Sequence, residues 1–115
     1  VEGAGGLLVP LDAETTMADL AKQLELPVLI VARASLGTIN HTLLSLEACA
    51  TRGLEVVGVV LSHVTGALSE ADRKNLEILK RALGEKLIGE IHPQTHPEDA
   101  DPQLAGLDAV LSLAR

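Results

Sequence analysis

The segment PVLIVA, from Pro27 to Ala32, is an apolar run without polar alternation, and VVGVVL, from Val56 to Leu61, is a second one. Short runs rich in β-branched residues are typical of strands that are covered on both faces of a parallel sheet. A third run, LIGEI from Leu87 to Ile91, predicts another strand. Helical patterns occupy residues 17–26, 38–52 and 69–83, and a last helix is predicted over 103–114. The alternation of strands and helices predicts an α/β fold, with a largely parallel sheet and helices on both faces.

Length and composition limit the class of protein. The 115 residues are enough for a single domain over 1–115, and the apolar fraction of 47% supplies material for a core. The net charge of −7 and the lack of Phe, Tyr and Trp argue against nucleic-acid binding, because the sequence offers neither a basic surface nor a stacking ring. No apolar run approaches the length of a membrane span, about 20 residues. The single cysteine, Cys49, cannot form an internal disulfide, and we expect a cytoplasmic location.

The chain opens with an acidic residue followed by glycines, EGAGG from Glu2 to Gly6, where a first strand is predicted to end. A carboxylate at that position can hold Mg²⁺, and the bare main chain after it lets a phosphate approach closely. A flexible glycine turn with a solvated Glu2 is the alternative. The sequence begins with Val1 and contains no G-x-x-x-x-G-K-[ST] phosphate-binding loop, so we expect it to be the later part of a longer protein.

A predicted helix start follows the first apolar run, in the segment LGTINHT from Leu36 to Thr42. Free backbone N–H groups at the start of a helix form an anion site, which the helix dipole favours further. A plain N-cap, formed by Thr38 or Asn40, is the alternative. His41 lies beside the cap and is interpreted as a structural residue that forms hydrogen bonds.

Three further histidines, His63, His92 and His96, raise the question of a metal site. Their spacing does not match a helical H-x-x-x-H pair, and prolines interrupt the segment that His92 and His96 share. The sequence therefore disfavours a transition-metal cluster. The Pro-rich acidic stretch over 92–102 is either a solvated connector or the rim of a ligand crevice at the carboxyl end of a strand.

Several longer segments match a known family. They are VEGAGGLLVPL (1–11), ADL (18–20), LPVLIV (26–31), LGTINHTLL (36–44), RGLEVVGVVL (52–61) and LIGEI (87–91). With these segments the chain resembles dethiobiotin synthetase, an ATP-dependent family of the biotin pathway. The resemblance runs nearly end to end but covers only the C-terminal half of the family's usual length. The EGAGG motif alone is shared with related amidoligases, whereas EGAGG-L-x-x-P-L followed by LG-x-INH is more specific.

The resemblance implies a P-loop-type fold, normally homodimeric, that carboxylates 7,8-diaminononanoate with CO₂ and closes a cyclic urea with ATP and Mg²⁺. Glu2 matches the family's Mg²⁺-binding acid, and Gly5 and Gly6 match positions close to the reacting groups. The distant carboxylate of the substrate would be received across the dimer interface by Gly37, Thr38, Ile39 and Asn40. This agrees with the anion site inferred from the helix start.

The sequence departs from the family pattern where the nucleotide base is expected to bind. Ser62 stands where the family commonly has an adenine-contacting Asn, and the base-contact loop after GEI is His92-Pro93-Gln94 instead of Pro-led. A hydroxyl cannot reproduce the donor and acceptor pattern of a carboxamide, so we expect a broader nucleotide preference. Because the Walker loop and its lysine are missing, we also expect this chain alone to make negligible dethiobiotin.

Two other functions match part of the sequence. A relative of the cobyrinate or cobyrate amidoligases would share the glycine motif. Those enzymes usually carry a glutaminase domain, however, and Cys49 lies in the middle of a predicted helix, unlike a nucleophile. A non-catalytic regulatory module, from a different class of protein, is the second alternative. An upstream strand followed by a Walker loop would favour the synthetase over the module.

Overall fold

The computed structural model describes residues 1–3, 5–63, 66–94 and 96–99 and the single positions 106, 108, 110 and 112. The main elements are, in chain order, α1 (Met17–Leu24), β1 (Val28–Ala34), α2 (Thr38–Thr51), β2 (Val56–His63), α3 (Glu70–Leu83) and β3 (Leu87–Ile91). Asp108, Val110 and Ser112 are helical, and most of the last helix predicted over 103–114 lies outside the described residues. None of the described helices combines the length and the apolar character needed to cross a lipid bilayer.

The strands β1, β2 and β3 form a parallel sheet in that order. Parallel neighbours require a crossover connection, and here α2 joins β1 to β2 and α3 joins β2 to β3. Ala32 lies beside Leu61, and Leu61 in turn lies beside Glu90. The α/β class with a parallel sheet, predicted from the apolar runs, is therefore confirmed.

The core lies between one face of the sheet and the helix α3. Alternate residues of a strand point to the same face, so β1 and β2 each present every second side chain to the helix. On α3 the apolar side chains recur at spacings of three and four, as the sequence predicts. The buried core residues are Ala32, Ala34, Val59, Leu61, Leu76, Leu79 and Leu83. Ile39 and Leu46 of α2 pack against this cluster, which places both crossover helices on the same core.

A strand is predicted to end near Glu2, but residues 1–3 themselves have no strand structure. The chain turns soon afterwards, at Gly5 (φ 82°) and Gly6 (φ 122°), in backbone conformations that glycine adopts without the usual steric cost. Beyond the turn, the carbonyl of Val9 accepts a hydrogen bond from the amide of Met17 at 2.9 Å. The opening segment therefore packs against the start of α1 through its main chain.

The helix α1 is fixed at both ends by local interactions. At its start, the Thr16 hydroxyl accepts a hydrogen bond from the amide of Asp19, and the Asp19 carboxylate accepts one from the amide of Thr16. This reciprocal pair is a capping box. At its end, Glu25 adopts a left-handed conformation with φ 55°. Pro27 follows and disfavours helical geometry in the residue before it. The helix therefore stops at Leu24, two residues before the predicted end.

Candidate functional site

The predicted substrate and nucleotide-base residues lie at the carboxyl edge of the sheet. Since the three strands are parallel, the segments that follow them emerge on the same side, where open α/β sheets bind ligands. The turn after β1 leads into α2 at Gly37, β2 ends with Ser62 and His63, and His92 directly follows β3. Ser62 lies beside Ile91 in the register, which brings Ser62 next to the start of the segment over 92–94.

A groove lies at the start of α2. Its lining includes Gly37, Thr38, Ile39 and Asn40, together with Leu43 and Leu44 from the next turn of the helix. The structure thus brings the four residues predicted to receive a carboxylate to one surface groove. Leu43 and Leu44 add an apolar wall, with exposed fractions of 40% and 55%.

The first turn of α2 leaves backbone donors free. Gly37 is the N-cap residue at φ 86°, and no side chain accepts a hydrogen bond there. The amide of Thr38 donates to the carbonyl of Ser35 at 3.2 Å. Within the described part of the chain, no group accepts a hydrogen bond from the backbone amide of Ile39 or of Asn40. These two N–H groups and the positive end of the helix dipole suit an anion.

The expectation that Thr38 or Asn40 caps the helix is wrong. The Thr38 side chain is buried and its hydroxyl lies 3.4 Å from that of Thr42, one turn further along the helix. Asn40 lies within the helix, beyond the cap, and its side chain is exposed. Gly37 takes the cap position instead, because the turn needs a positive φ that other residues adopt only with strain.

The residues predicted to contact a nucleotide base lie at the carboxyl ends of β2 and β3. Ser62 is half-buried, whereas His92, Pro93 and Gln94 are exposed. The Gln94 side-chain amide donates a hydrogen bond to the carbonyl of His92 at 3.4 Å. The arrangement offers a hydroxyl, an imidazole and a carboxamide along one side of the edge.

The described residues also form a charged cluster at this edge. The Nε2 of His63 lies 2.9 Å from Oε2 of Glu90, and the Nε2 of His92 lies 3.7 Å from the same oxygen. The other carboxylate oxygen of Glu90, Oε1, forms an ion pair with Nζ of Lys80 on α3, at a distance of 2.6 Å. The two imidazole rings stack with centroids 4.3 Å apart and planes 21° apart. Two strands and one helix thus meet at a single carboxylate.

The environment of Glu90 keeps it ionised. Burial by itself raises the pKa of the Glu90 carboxyl, but hydrogen bonds from Lys80 and His63 outweigh burial and hold the pKa below its ordinary value. The hydrogen bond to Glu90 raises the pKa of Lys80 in turn, against the opposing effect of burial. The carboxylate and the ammonium group therefore remain charged together over the neutral range.

This cluster is the feature that the sequence interpretation missed. The spacing of His63, His92 and His96 along the sequence disfavours a metal site, yet the fold brings the first two into contact. That spacing gives no indication of their partners Glu90 and Lys80. The available signal was Glu90 itself, an acidic residue inside the apolar run of β3. A charge inside a strand requires a partner when the sheet face is covered.

Glu2, Gly5 and Gly6 lie in the opening segment, outside the groove and the edge cluster. Glu2 is exposed, and no described residue forms an ion pair or hydrogen bond with its carboxylate. Gly5 and Gly6 hold the turn that leads to the start of α1. Among the described residues, no hydrogen bond or ion pair joins these three to the carboxyl edge of the sheet. The carboxylate is nevertheless open to a cation or to solvent.

With this geometry established, comparison with known proteins identifies the family. Residues 1–100 match the family model described as an AAA domain. The chain belongs to this AAA domain family. AAA domains are of the P-loop NTPase type, which agrees with the parallel sheet and with the fold class predicted from the sequence. The fold and the family therefore support each other.

Curated relatives of this AAA domain chain are named for biotin synthesis. It is 68% identical over 63 residues to an ATP-dependent dethiobiotin synthetase of Anaeromyxobacter sp. (strain K), covering 55% of the chain and 28% of that protein. It is 45% identical to a biotin biosynthesis bifunctional protein of Bordetella avium, over 97% of the chain and 24% of the relative. It is 40% identical to the dethiobiotin synthetase of Bacillus licheniformis, over 89% of the chain and 42% of the relative. The resemblance inferred from the sequence is confirmed, and the chain spans less than half the length of these relatives.

Proposed function

We propose that this chain is the part of an ATP-dependent dethiobiotin synthetase that binds the distant carboxylate of 7,8-diaminononanoate and one side of the nucleotide. The groove at the start of α2 carries the proposal, because the amides of Ile39 and Asn40 in its lining have no acceptor among the described residues and can bind an anion. In a homodimer the substrate would reach this groove from the partner subunit, and we place the enzyme in the cytoplasm. The names of the relatives support the reaction class.

Recognition of the carboxylate follows from the local chemistry. The amides of Ile39 and Asn40 would donate to the carboxylate oxygens, and the exposed Asn40 side chain can donate a further hydrogen bond. Leu43 and Leu44 would contact the aliphatic chain of a nonanoate, which is apolar between its two functional ends. A groove with an anion site beside apolar side chains suits a fatty amino acid better than a small polar one.

Magnesium would be held by Glu2, and the residues present suit it. A single exposed carboxylate, completed by waters and phosphate oxygens, is a common way for proteins to hold Mg²⁺. When bound, the ion neutralises the charge of the phosphates that take part in the transfer. The turn at Gly5 and Gly6 would let phosphate oxygens approach the main chain. Ser62 and the segment His92–Gln94 would contact the nucleotide base.

The substrate assignment is tested by calorimetry on the full-length protein that contains this chain. Asn40→Asp places a negative charge in the anion site and should weaken binding of 7,8-diaminononanoate at least about tenfold, since like charges at close range repel. The methyl ester of the same compound lacks that charge and should lose much less. Gln23→Glu adds an equal charge on α1, outside the groove, and should leave both affinities unchanged. Equal binding of the acid to wild type and to Asn40→Asp would refute the assignment.

Nucleotide selectivity is tested separately, by competition among ATP, GTP and CTP. With Ser62 in place of the usual carboxamide, the three should bind with similar affinity, whereas Ser62→Asn should shift the preference towards ATP. A strict preference of the wild type for ATP would contradict the proposed role of Ser62. The 115-residue chain alone, which has no Walker motif in its sequence, should not turn over diaminononanoate and bicarbonate. Measurable turnover would refute that expectation.

A further inference from the structure

Three side chains with metal-ligand atoms lie close together at the carboxyl edge of the sheet. They are His63, Glu90 and His92, and one potential ligand atom of each lies within 4.8 Å of the others. Two ligands about 2.1 Å from a tetrahedral metal ion lie about 3.4 Å apart. The separations from Glu90, 2.9 Å to His63 and 3.7 Å to His92, bracket that value. Both separations from Glu90 are therefore within about 0.5 Å of the spacing that a shared ion requires, and one of the two stacked rings would have to turn so that both Nε2 lone pairs point at the ion.

The surrounding contacts prepare this arrangement. The stacked rings direct both imidazole Nε2 atoms towards the same carboxylate. Of the two Glu90 oxygens, Lys80 contacts Oε1, which restrains the Glu90 carboxylate and leaves Oε2 for the two imidazoles. Hydrogen bonds of this kind orient the ligating carboxylates of metal sites. His63 is fixed by its place on β2, with a side-chain exposure of 13%, whereas His92 is 60% exposed and has room to adjust.

The chemistry of the donors selects the class of ion. Imidazole nitrogen is a ligand of zinc and its neighbours in the first transition series, whereas Mg²⁺ requires oxygen. Two histidines and one glutamate, with a position left for water, form a known type of zinc site. We propose that His63, Glu90 and His92 bind a first-row transition-metal dication such as Zn²⁺. This site is separate from Glu2 and shares His92 with the segment proposed to contact the nucleotide base, but the argument for it does not rest on the proposed synthetase function.

Binding of the ion would have a local consequence. His63 belongs to β2, while His92 begins the exposed segment that leaves β3. A shared metal would tie that segment to the end of the neighbouring strand. The ion would replace the hydrogen bond between His63 and Glu90, and it would require both imidazoles to be neutral.

Zinc binding is measured by calorimetry on the tag-free 115-residue chain, and Co²⁺ serves as a spectroscopic probe. We expect one equivalent of Zn²⁺ and a visible Co²⁺ absorption typical of nitrogen and oxygen ligands. His92→Ala should lower the affinity at least about tenfold, the usual effect of weakening such a site. Because His92 is largely exposed, this variant should keep its fold, which far-ultraviolet circular dichroism verifies.

Two controls separate this site from incidental binding. His41 is exposed on α2, and His41→Ala should leave the zinc affinity unchanged. Glu90→Gln keeps the size of the side chain and removes its charge, so it should weaken binding as His92→Ala does. The proposal is wrong if Zn²⁺ shows no saturable binding, or if His41→Ala reduces the affinity while His92→Ala does not. Either result leaves the test of the groove at α2 unaffected.

Discussion

The packing of Gly58 against Ile88 gives the sharpest quantitative prediction for the fold. A Cβ added at Gly58 would lie 2.7, 2.8 and 2.9 Å from Cγ2, Cδ1 and Cγ1 of Ile88. Carbon atoms attract optimally at about 3.5 Å or more, so all three contacts would be at least about 0.6 Å too close. Ile88 is branched at Cβ and cannot easily turn away. Gly58→Ala should therefore destabilise the chain by about 1–3 kcal/mol through overpacking.

The same substitution should behave differently when Ile88 is shortened. Ile88→Ala removes the three atoms that the new Cβ would meet, so Gly58→Ala should then cost almost nothing. It could even stabilise by up to about 1 kcal/mol, because alanine loses less backbone entropy than glycine on folding. The coupling between the two positions, from the double-mutant cycle, should thus be about 1–3 kcal/mol.

Urea unfolding followed by far-ultraviolet circular dichroism measures all four variants, since the chain has no Phe, Tyr or Trp for fluorescence. At a slope of about 1–3 kcal/mol per molar urea, a loss of about 2 kcal/mol corresponds to a midpoint shift of about 0.7–2 M. An equal cost of Gly58→Ala with and without the Ile88 side chain would show that the close approach of β2 and β3 is not the cause.

Three further predictions concern the core, the cysteine and the first helix. Leu79 is fully buried, so Leu79→Ala should lower the free energy of unfolding in urea by about 2–5 kcal/mol. Ile78 on the same helix is 54% exposed, and Ile78→Ala should lower it by less than about 1 kcal/mol. Equal losses for the two variants would contradict the packing of α3. Cys49 is fully buried and burial raises the pKa of its thiol, so Ellman's reagent should label it slowly at about pH 8 and rapidly only in urea; rapid labelling of the folded chain would be inconsistent with this. Hydrogen bonds from Thr16 lower the pKa of Asp19, so its contribution to stability is present above about pH 4 and is lost as the pH falls. The destabilisation caused by Asp19→Asn should accordingly shrink below about pH 4, and a difference independent of pH would exclude this linkage.

Much of the fold was predictable because buried strands in a parallel sheet are continuous apolar runs. The bounds of β3 coincide with the apolar run LIGEI. The last two residues of β1, Arg33 and Ala34, lie beyond the apolar run PVLIVA. Arg33 is exposed and polar, so an apolar run ends before the strand does. The end of α1 was missed for a different reason, since the left-handed conformation of Glu25 is uncommon for a residue other than glycine.

The candidate site was predictable only where it is local in sequence. The groove at the start of α2 follows from one short segment, so a strand end followed by LGTIN was sufficient to locate it. The cluster at Glu90 depends on register, because His63 and Glu90 are 27 positions apart and meet only through the pairing of β2 with β3. The register contains an irregularity between Val59 and Val60, which a reading of the apolar pattern does not show.

The bond between Lys80 and Glu90 links the helix α3 to the strand end where ligands are expected. A ligand that draws Glu90 towards itself would loosen one attachment of the last turns of that helix to the sheet. Amide hydrogen exchange in those turns would then quicken when the edge is occupied. The interior of the helix, where Leu76 and Leu79 pack into the core, would keep its slow exchange. The amides in the last turns of α3 would thereby report whether the carboxyl edge of the sheet is occupied.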